Sequence, residues 1–161
     1  MQSIYWEIDV LKGGSTSVQG KDMIEVLSFS HGVSMPVTMG PSSSSRTSGR
    51  CVHQDFTLTK FADPVSPALN LKCCGGENIR SMKLHIWKTD DAGKPVECQT
   101  YTFTDSIITS VSIGGGGGSQ PTETLTFNYK TITWDFPPAA APGLPKLKNA
   151  ATWSLEQNKG M

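Results

Sequence analysis

Histidine and cysteine are the side chains of this sequence that offer metal binding or nucleophilic chemistry. They are His31, His53, His85, Cys51, Cys73, Cys74 and Cys98. Cys51 and His53 would share one face of a strand, and Cys73 would be a third ligand. Structural zinc sites normally carry paired ligands at short spacings such as Cys-x-x-Cys, which this sequence lacks. We therefore expect neither a metal nor another cofactor.

The same side chains form no recognisable catalytic motif. A cysteine nucleophile needs a histidine beside it, and no local pattern joins any thiol to a histidine here. Cys73 is better interpreted as a small apolar residue of a helix. His31 is better interpreted as a partly buried histidine with one hydrogen bond. We expect no catalytic residue; a small cysteine hydrolase stays open as a rival, which a thiol whose alkylation abolishes turnover would reveal.

Five consecutive glycines, Gly114–Gly118, raise the question of a phosphate-binding loop. Such loops lead into the N-terminus of a helix and usually contain a lysine. Here Pro121 and a strand-like segment follow instead. The glycines therefore predict a flexible hairpin connection.

Alternating side chains on both sides of the glycines indicate the elements that surround them. Apolar residues alternate with threonine over Tyr101–Thr104, and with threonine and asparagine over Leu125–Tyr129. A period of two is typical of strands, whose successive side chains point to opposite faces. After Tyr129 the apolar residues move to even positions, beginning at Ile132. This shift predicts a β-bulge or a bend.

The segment 23–34 also alternates and predicts a strand with two different faces. Leu27 and Phe29 are expected on the core face. Val26, Ser28 and Ser30 are expected on the other face, which is small and polar, as on a strand that borders water.

One helix is expected, at about residues 66–74. Ser66 is predicted as its N-cap, Pro67 suits its first position, and Gly75–Gly76 would end it. An extended loop rich in serine is expected at about residues 38–50. Together these patterns predict a mainly β fold: a closed or nearly closed β-barrel of two packed sheets, in a single domain that covers residues 1–161.

Composition excludes several functional classes. The 161 residues contain 14 basic and 14 acidic side chains, so no net charge attracts the protein to nucleic acid or to a membrane surface. Charged residues are 17% of the chain, against about 25% in typical domains. The N-terminus has no signal-peptide pattern, and no apolar run is long enough to cross a membrane. We expect four free thiols in a reducing compartment.

Four segments follow one another in a particular order along the chain. They are an early strand at 24–34, a strand-then-helix segment at 55–79, the run Ser-Val-Ser-Ile, glycines and Pro-Thr-Glu-Thr at 110–124, and a closing strand at 153–159. This ordered set resembles the Hcp family, the tube-forming proteins of bacterial type VI secretion. The sequence departs from the family at His31, where an aromatic residue is expected.

The resemblance implies a structural protein. Six copies would form a ring, and rings would stack into the inner tube that a contractile sheath propels, with spike and effector proteins as partners. The chain would start in the bacterial cytoplasm and reach the extracellular space or a target cell without a cleaved signal. By this resemblance, Ser28 and Ser30 are expected to contact effectors in the lumen. The expected ring-stacking residues are Ser42, Ser43, Ser44, Ser45 and Arg46.

A second class of function stays open. A monomeric β-barrel that binds a ligand, or a lectin-like module, would have a similar strand pattern. The molecular mass in solution distinguishes the two.

Overall fold

The structure, a computed structural model, describes residues 2–39, 46–137 and 149–161, and these residues form fourteen strands and one helix. The strands are β1 Gln2–Ile8, β2 Ile24–Val26, β3 Ser28–Ser30, β4 Val33–Ser34, β5 Val37–Met39, β6 Arg46–Ser48, β7 Val52–His53, β8 Phe56–Phe61, β9 Ile79–Thr89, β10 Pro95–Gly114, β11 Thr122–Asn128, β12 Thr131–Phe136, β13 Asn149–Ser154 and β14 Lys159–Gly160. Helix α1 is Ser66–Gly75. The predicted mainly β class with one short helix is confirmed.

The strand pairings return to their starting point. β1 pairs with β9, β9 with β10, β10 with β11, β11 with β8 and β8 with β3, all antiparallel. β2 pairs with β1 and continues into β3 through Leu27, whose N–H donates to the Thr59 carbonyl oxygen at 2.8 Å. This ring of ladders agrees with the predicted barrel.

The long strand β10 has different partner strands along its length. Its first half pairs with β12, and β13 and β14 extend that side. Its second half pairs with β11. The chain bends between β11 and β12, where the Lys130 N–H donates to the Thr104 carbonyl oxygen at 3.0 Å, and Asp105 on the partner strand has a φ of 49°. The shift predicted after Tyr129 is confirmed as this bend.

The barrel interior is filled with aromatic side chains. Trp6, Phe56, Phe103 and Phe127 are all fully buried. The ring centroids of Phe56 and Phe103 lie 4.8 Å apart, and those of Phe103 and Phe127 lie 4.9 Å apart, both in edge-to-face geometry. Aromatic pairs at these distances contribute about 0.5–1.5 kcal/mol beyond their buried area.

The faces of segment 23–34 were only partly predicted. Phe29 packs against the core, and Ser28 and Ser30 are exposed, as expected. The assignment of the two preceding residues was wrong, because Val26 is buried and Leu27 is 49% exposed. The segment is not one strand: β2 pairs with β1 whereas β3 pairs with β8, and the inward phase changes at Leu27, between them.

Helix α1 ends as predicted but begins differently. Gly76 adopts a left-handed conformation with a φ of 60°, and its N–H donates to the Cys73 carbonyl oxygen at 3.2 Å. The N-cap is Val65, so the prediction of Ser66 as N-cap was wrong. The Ser66 side chain is buried and bonds elsewhere. Within the described residues, no helix is long and apolar enough to span a membrane.

The two ends of the predicted extended loop are paired as antiparallel strands. β5 pairs with β6, and the flanking strands β4 and β7 pair with each other, so that two short ladders lie one after the other. We call residues 33–39 and 46–53 the hairpin stem. Ser42, Ser43, Ser44 and Ser45 lie outside the described residues, and Arg46 is the first residue of β6.

Candidate interaction surface

Four neighbouring strands direct hydroxyl side chains away from the core. Ser30 on β3 lies opposite Thr57 on β8, which lies opposite Thr126 on β11, which lies opposite Ser110 on β10. A second row of the same kind runs parallel to the first. We call both rows together the hydroxyl face, which consists of Ser28, Ser30, Thr57, Thr59, Ser110, Ser112, Thr124 and Thr126.

The hydroxyl side chains face outward because the residues that alternate with them along the same strands are apolar and point into the core. Leu58 and Leu125 are fully buried and lie opposite each other between the two hydroxyl rows. Each strand therefore alternates between core and surface, and antiparallel register aligns the surface positions. Sequence reasoning found Ser28 and Ser30 but missed the other six residues. The alternating threonines were visible, but only the pairing shows that they meet.

A hydrogen-bonded group fixes one end of the hydroxyl face. The Thr109 hydroxyl donates to Asp55 Oδ2 at 2.8 Å, and Asn128 Nδ2 donates to Asp55 Oδ1 at 3.1 Å. The hydroxyls of Thr109 and Thr126 lie 2.7 Å apart, and that of Ser110 lies 2.6 Å from Thr126. The Asp55 carboxylate is thus held by donors at the edge of the face.

The hydroxyl face offers many uncharged hydrogen-bonding groups. Serine and threonine hydroxyls donate and accept hydrogen bonds without carrying charge. A surface of this kind offers short-range polar contacts without a long-range field.

A buried charged cluster joins the back of this sheet to helix α1. Lys60 Nζ lies 2.8 Å from Glu123 Oε2 and 3.0 Å from Asp63 Oδ1. The Ser66 hydroxyl donates to the same Glu123 oxygen at 2.8 Å. Both Lys60 and Glu123 have fully buried side chains. Sequence reasoning missed this cluster, although both residues interrupt the apolar phase of their strands.

The two partly buried histidines meet at one tyrosine. His31 Nε2 lies 2.5 Å and His53 Nδ1 lies 2.8 Å from the Tyr129 hydroxyl oxygen. This confirms the prediction that His31 is partly buried and hydrogen-bonded. Burial raises the pKa of Tyr129, and the nearby Asp55 carboxylate adds to the effect. Burial lowers the pKa of both histidines, and for His31 the charge of His53 lowers it further.

The remaining candidates for chemistry lie apart from one another. Cys73 is on helix α1, whereas Cys51 and His53 are at strand β7. All four cysteines are free thiols. Among the described residues, no three histidine, cysteine or acidic side chains form a group that would hold a metal ion. His85 lies 2.5 Å from a Glu97 oxygen and 3.1 Å from a Glu7 oxygen, on the outer side of β1, β9 and β10.

Comparison with known proteins identifies relatives of the chain. The model of the family described as "Type VI secretion system effector, Hcp" matches residues 5–136. Protein hcp1 of Pseudomonas aeruginosa is 32% identical over 110 residues, and the match covers 65% of this chain and 65% of that protein, just under two thirds of its length. The "Major exported protein" of the same organism is 29% identical over 129 residues, which cover 75% of this chain and 73% of the relative.

Solved structures share the fold over the whole chain. A structure described as a type six secretion system protein superposes with a TM-score of 0.88 at 29% identity and covers 100% of both chains. Hcp1 from Salmonella typhimurium superposes with a TM-score of 0.80 at 25% identity and covers 99% of both chains.

Proposed function

Because the chain belongs to the Hcp family of type VI secretion proteins, we propose that it is a tube subunit, whose rings of about six copies stack end to end. It is exported with the tube and carries effectors inside it. The observation that carries this proposal is the hydroxyl face: a four-stranded, uncharged surface of exposed and half-buried side chains, on a barrel whose interior is already filled.

The hydroxyl face lines the lumen of the ring in this proposal. A channel that must hold and release different cargo proteins gains from short-range contacts, because a charged wall would retain or reject cargo according to its charge. Ser28 and Ser30 then contact effectors directly, together with the threonines of β8 and β11. The partners are further copies of the chain, and the spike, sheath and effector proteins of the secretion system.

The role is structural and not enzymatic. The hydroxyl face has no base among its members, and the buried Lys60–Glu123 pair faces the helix and not solvent. The protein begins in the bacterial cytoplasm and leaves the cell through the machine it helps to build. The name of the relative "Major exported protein" supports export.

The packed interior argues against a ligand bound inside the barrel, and the mass in solution decides for or against a lectin-like surface module. A barrel that holds a small molecule inside needs a cavity, and small-molecule sites usually have a volume of about 300–1,000 Å³. Here the interior positions are taken by Trp6, Phe56, Phe103 and Phe127, all fully buried. A ligand would have to displace these rings from the core.

The mass in solution tests the proposal. Light scattering after gel filtration should give about six times the chain mass of 17.3 kDa. Images of the purified particle should show a ring with a central opening. A clean monomer at micromolar concentration would overturn the ring and favour the ligand-binding module.

A further inference from the structure

His31, Tyr129 and His53 meet where the hairpin stem leaves the barrel; we call these three residues the histidine bridge. His31 precedes β4 by two residues, and His53 ends β7. Beside them, the Gln54 N–H donates to the Gly32 carbonyl oxygen at 2.9 Å, so that one backbone bond and the histidine bridge close the base of the stem. The bridge therefore connects both strands of the stem to Tyr129, the residue that follows β11.

The number of protons in the bridge determines whether it can form. A tyrosine hydroxyl has one proton to donate, and a neutral histidine has one nitrogen that donates and one that accepts. With both rings neutral, Tyr129 donates to one ring and accepts from the other. With one ring protonated, that ring donates and the other still accepts. With both protonated, neither ring accepts, and the tyrosine proton has no partner within the bridge.

Double protonation also brings two positive charges together in a poorly solvated place. The ring centroids of His31 and His53 are 6.0 Å apart. The second nitrogen of His53, Nε2, is buried without a hydrogen-bond partner. A proton added there would have no acceptor, which disfavours the doubly protonated bridge.

Around the bridge, aromatic faces attract a positive charge, but less strongly than a free carboxylate would. His53 lies against the rings of Trp134 on β12 and Trp153 on β13, and His31 stacks on Phe56 of β8. The titratable groups nearby are the Tyr129 phenol, the Cys51 thiol and the Asp55 carboxylate. Asp55 already accepts hydrogen bonds from Thr109 and Asn128. Arg50, beside Cys51 in the chain, donates to the Leu155 carbonyl oxygen at 2.6 Å and adds a positive charge.

The direction of the pH effect follows from these contacts. Burial lowers the pKa of both histidines below 6.5 in the folded protein, whereas an opened stem returns them to ordinary values. The open stem therefore binds more protons as the pH falls below 6.5. The closed stem has its full stability above that pH, and loses it as the pH falls through the lowered pKa values.

We propose that the histidine bridge is a proton-sensitive latch: it holds the base of the hairpin stem against the barrel at neutral pH and releases the stem when both histidines bind protons. The barrel itself stays folded, because its strand ladders do not include the two histidines, and Tyr129 keeps its contact with Phe103 in the core. The latch is a property of this chain alone and does not depend on ring formation.

Hydrogen exchange and histidine NMR on the full chain test the latch. At about pH 5, amides of β7 and Gln54 should open about tenfold more often than at about pH 7.5, after correction for intrinsic rates, while β8 and β11 keep their protection. The His31 and His53 resonances should titrate below 6.5 together with the stem amides.

Two variants separate the latch from a general acid effect. His31→Phe keeps a ring on Phe56 and leaves one histidine, so its stem should stay closed at the lower pH. His85→Gln, a control outside the bridge, should open as the wild type does. Equal stem protection of the wild type at both pH values overturns the proposal, and so does a His31→Phe stem that opens like the wild type. If His31→Phe does not fold, histidine midpoints at or above 6.5 in the wild type overturn it.

Discussion

Lys60 and Glu123 form an ion pair 2.8 Å long with both side chains fully buried, between two strands and the first turn of the helix. Taking two charges out of water is costly, and the surrounding hydrogen bonds from Ser66 and to Asp63 offset part of this cost. The pair and the Ser66 hydroxyl link the first turn of the helix to strands β8 and β11.

Removing one partner of this pair should destabilise the fold strongly. We expect Glu123→Ala to lower the free energy of unfolding by about 3–5 kcal/mol, because Lys60 stays buried and loses its nearest carboxylate. Urea denaturation measures the loss. Lys72→Ala is the matched control: it breaks the Lys72–Glu77 bridge, in which Glu77 is half-exposed, and should cost less than about 1 kcal/mol. Equal losses in the two variants would contradict the interpretation of the buried pair.

Replacing the whole pair should be tolerated far better than breaking it. Apolar side chains of similar size need no partner, and such double replacements are often neutral or stabilising by about 1–4 kcal/mol. We expect Lys60→Met with Glu123→Leu to recover most of the stability lost in Glu123→Ala. The same urea titration decides the outcome, and a double variant less stable than Glu123→Ala would show that the pair contributes net stability.

Neighbouring positions on β3 should respond in opposite ways to a charge. Ser30→Arg projects from the hydroxyl face, so we expect normal folding and ring mass but altered retention of cargo in a pull-down. Phe29→Asp removes a ring that stacks on Phe56 at 5.8 Å and places a charge against the core, at a cost of about 3 kcal/mol or more. A Ser30→Arg protein that fails to fold or to form rings would place Ser30 in a contact that the barrel alone does not show.

Shortening the segment between β5 and β6 should separate ring formation from tube growth. We expect replacement of residues 40–45 by a two-residue Asn-Gly turn to leave the paired β5 and β6 arms intact. If this segment contacts the next ring, as the family resemblance implies, the variant keeps its mass in solution but forms fewer stacked tubes in electron micrographs. Unchanged tube length would remove the stacking role from the segment.

Alkaline pH should destabilise the protein through Tyr129 and Tyr101. Burial raises the pKa of both phenols, so the folded protein favours their neutral forms. Stability is complete below the ordinary pKa of 10 and falls as the pH rises above it, because the unfolded chain ionises first. Absorbance at about 295 nm should show that these tyrosines ionise with unfolding. Tyr129→Phe should reduce the alkaline loss; if it does not, Tyr129 is not the group responsible.

The sequence alone was sufficient for the local elements. Alternation over Leu125–Tyr129 predicted a strand, the glycines Gly114–Gly118 predicted a hairpin connection, and the shift after Tyr129 predicted the bend between β11 and β12. These features follow from the geometry of a single chain, since the side-chain period of a strand and the torsion freedom of glycine need no distant partner. The ordered segments were enough for the family as well.

Only the tertiary structure decided which residues meet. The error at Val26 and Leu27 arose because β2 and β3 have different partner strands, and pairing determines the inward phase. The Lys60–Glu123 pair and the histidine bridge join residues far apart in sequence. The presence of each buried charge or hydroxyl is explained only by the group that it contacts. The hydroxyl face likewise depends on the register of four strands. Periodicity shows which side of a strand a residue occupies, whereas register, which long-range packing determines, shows what lies beside it.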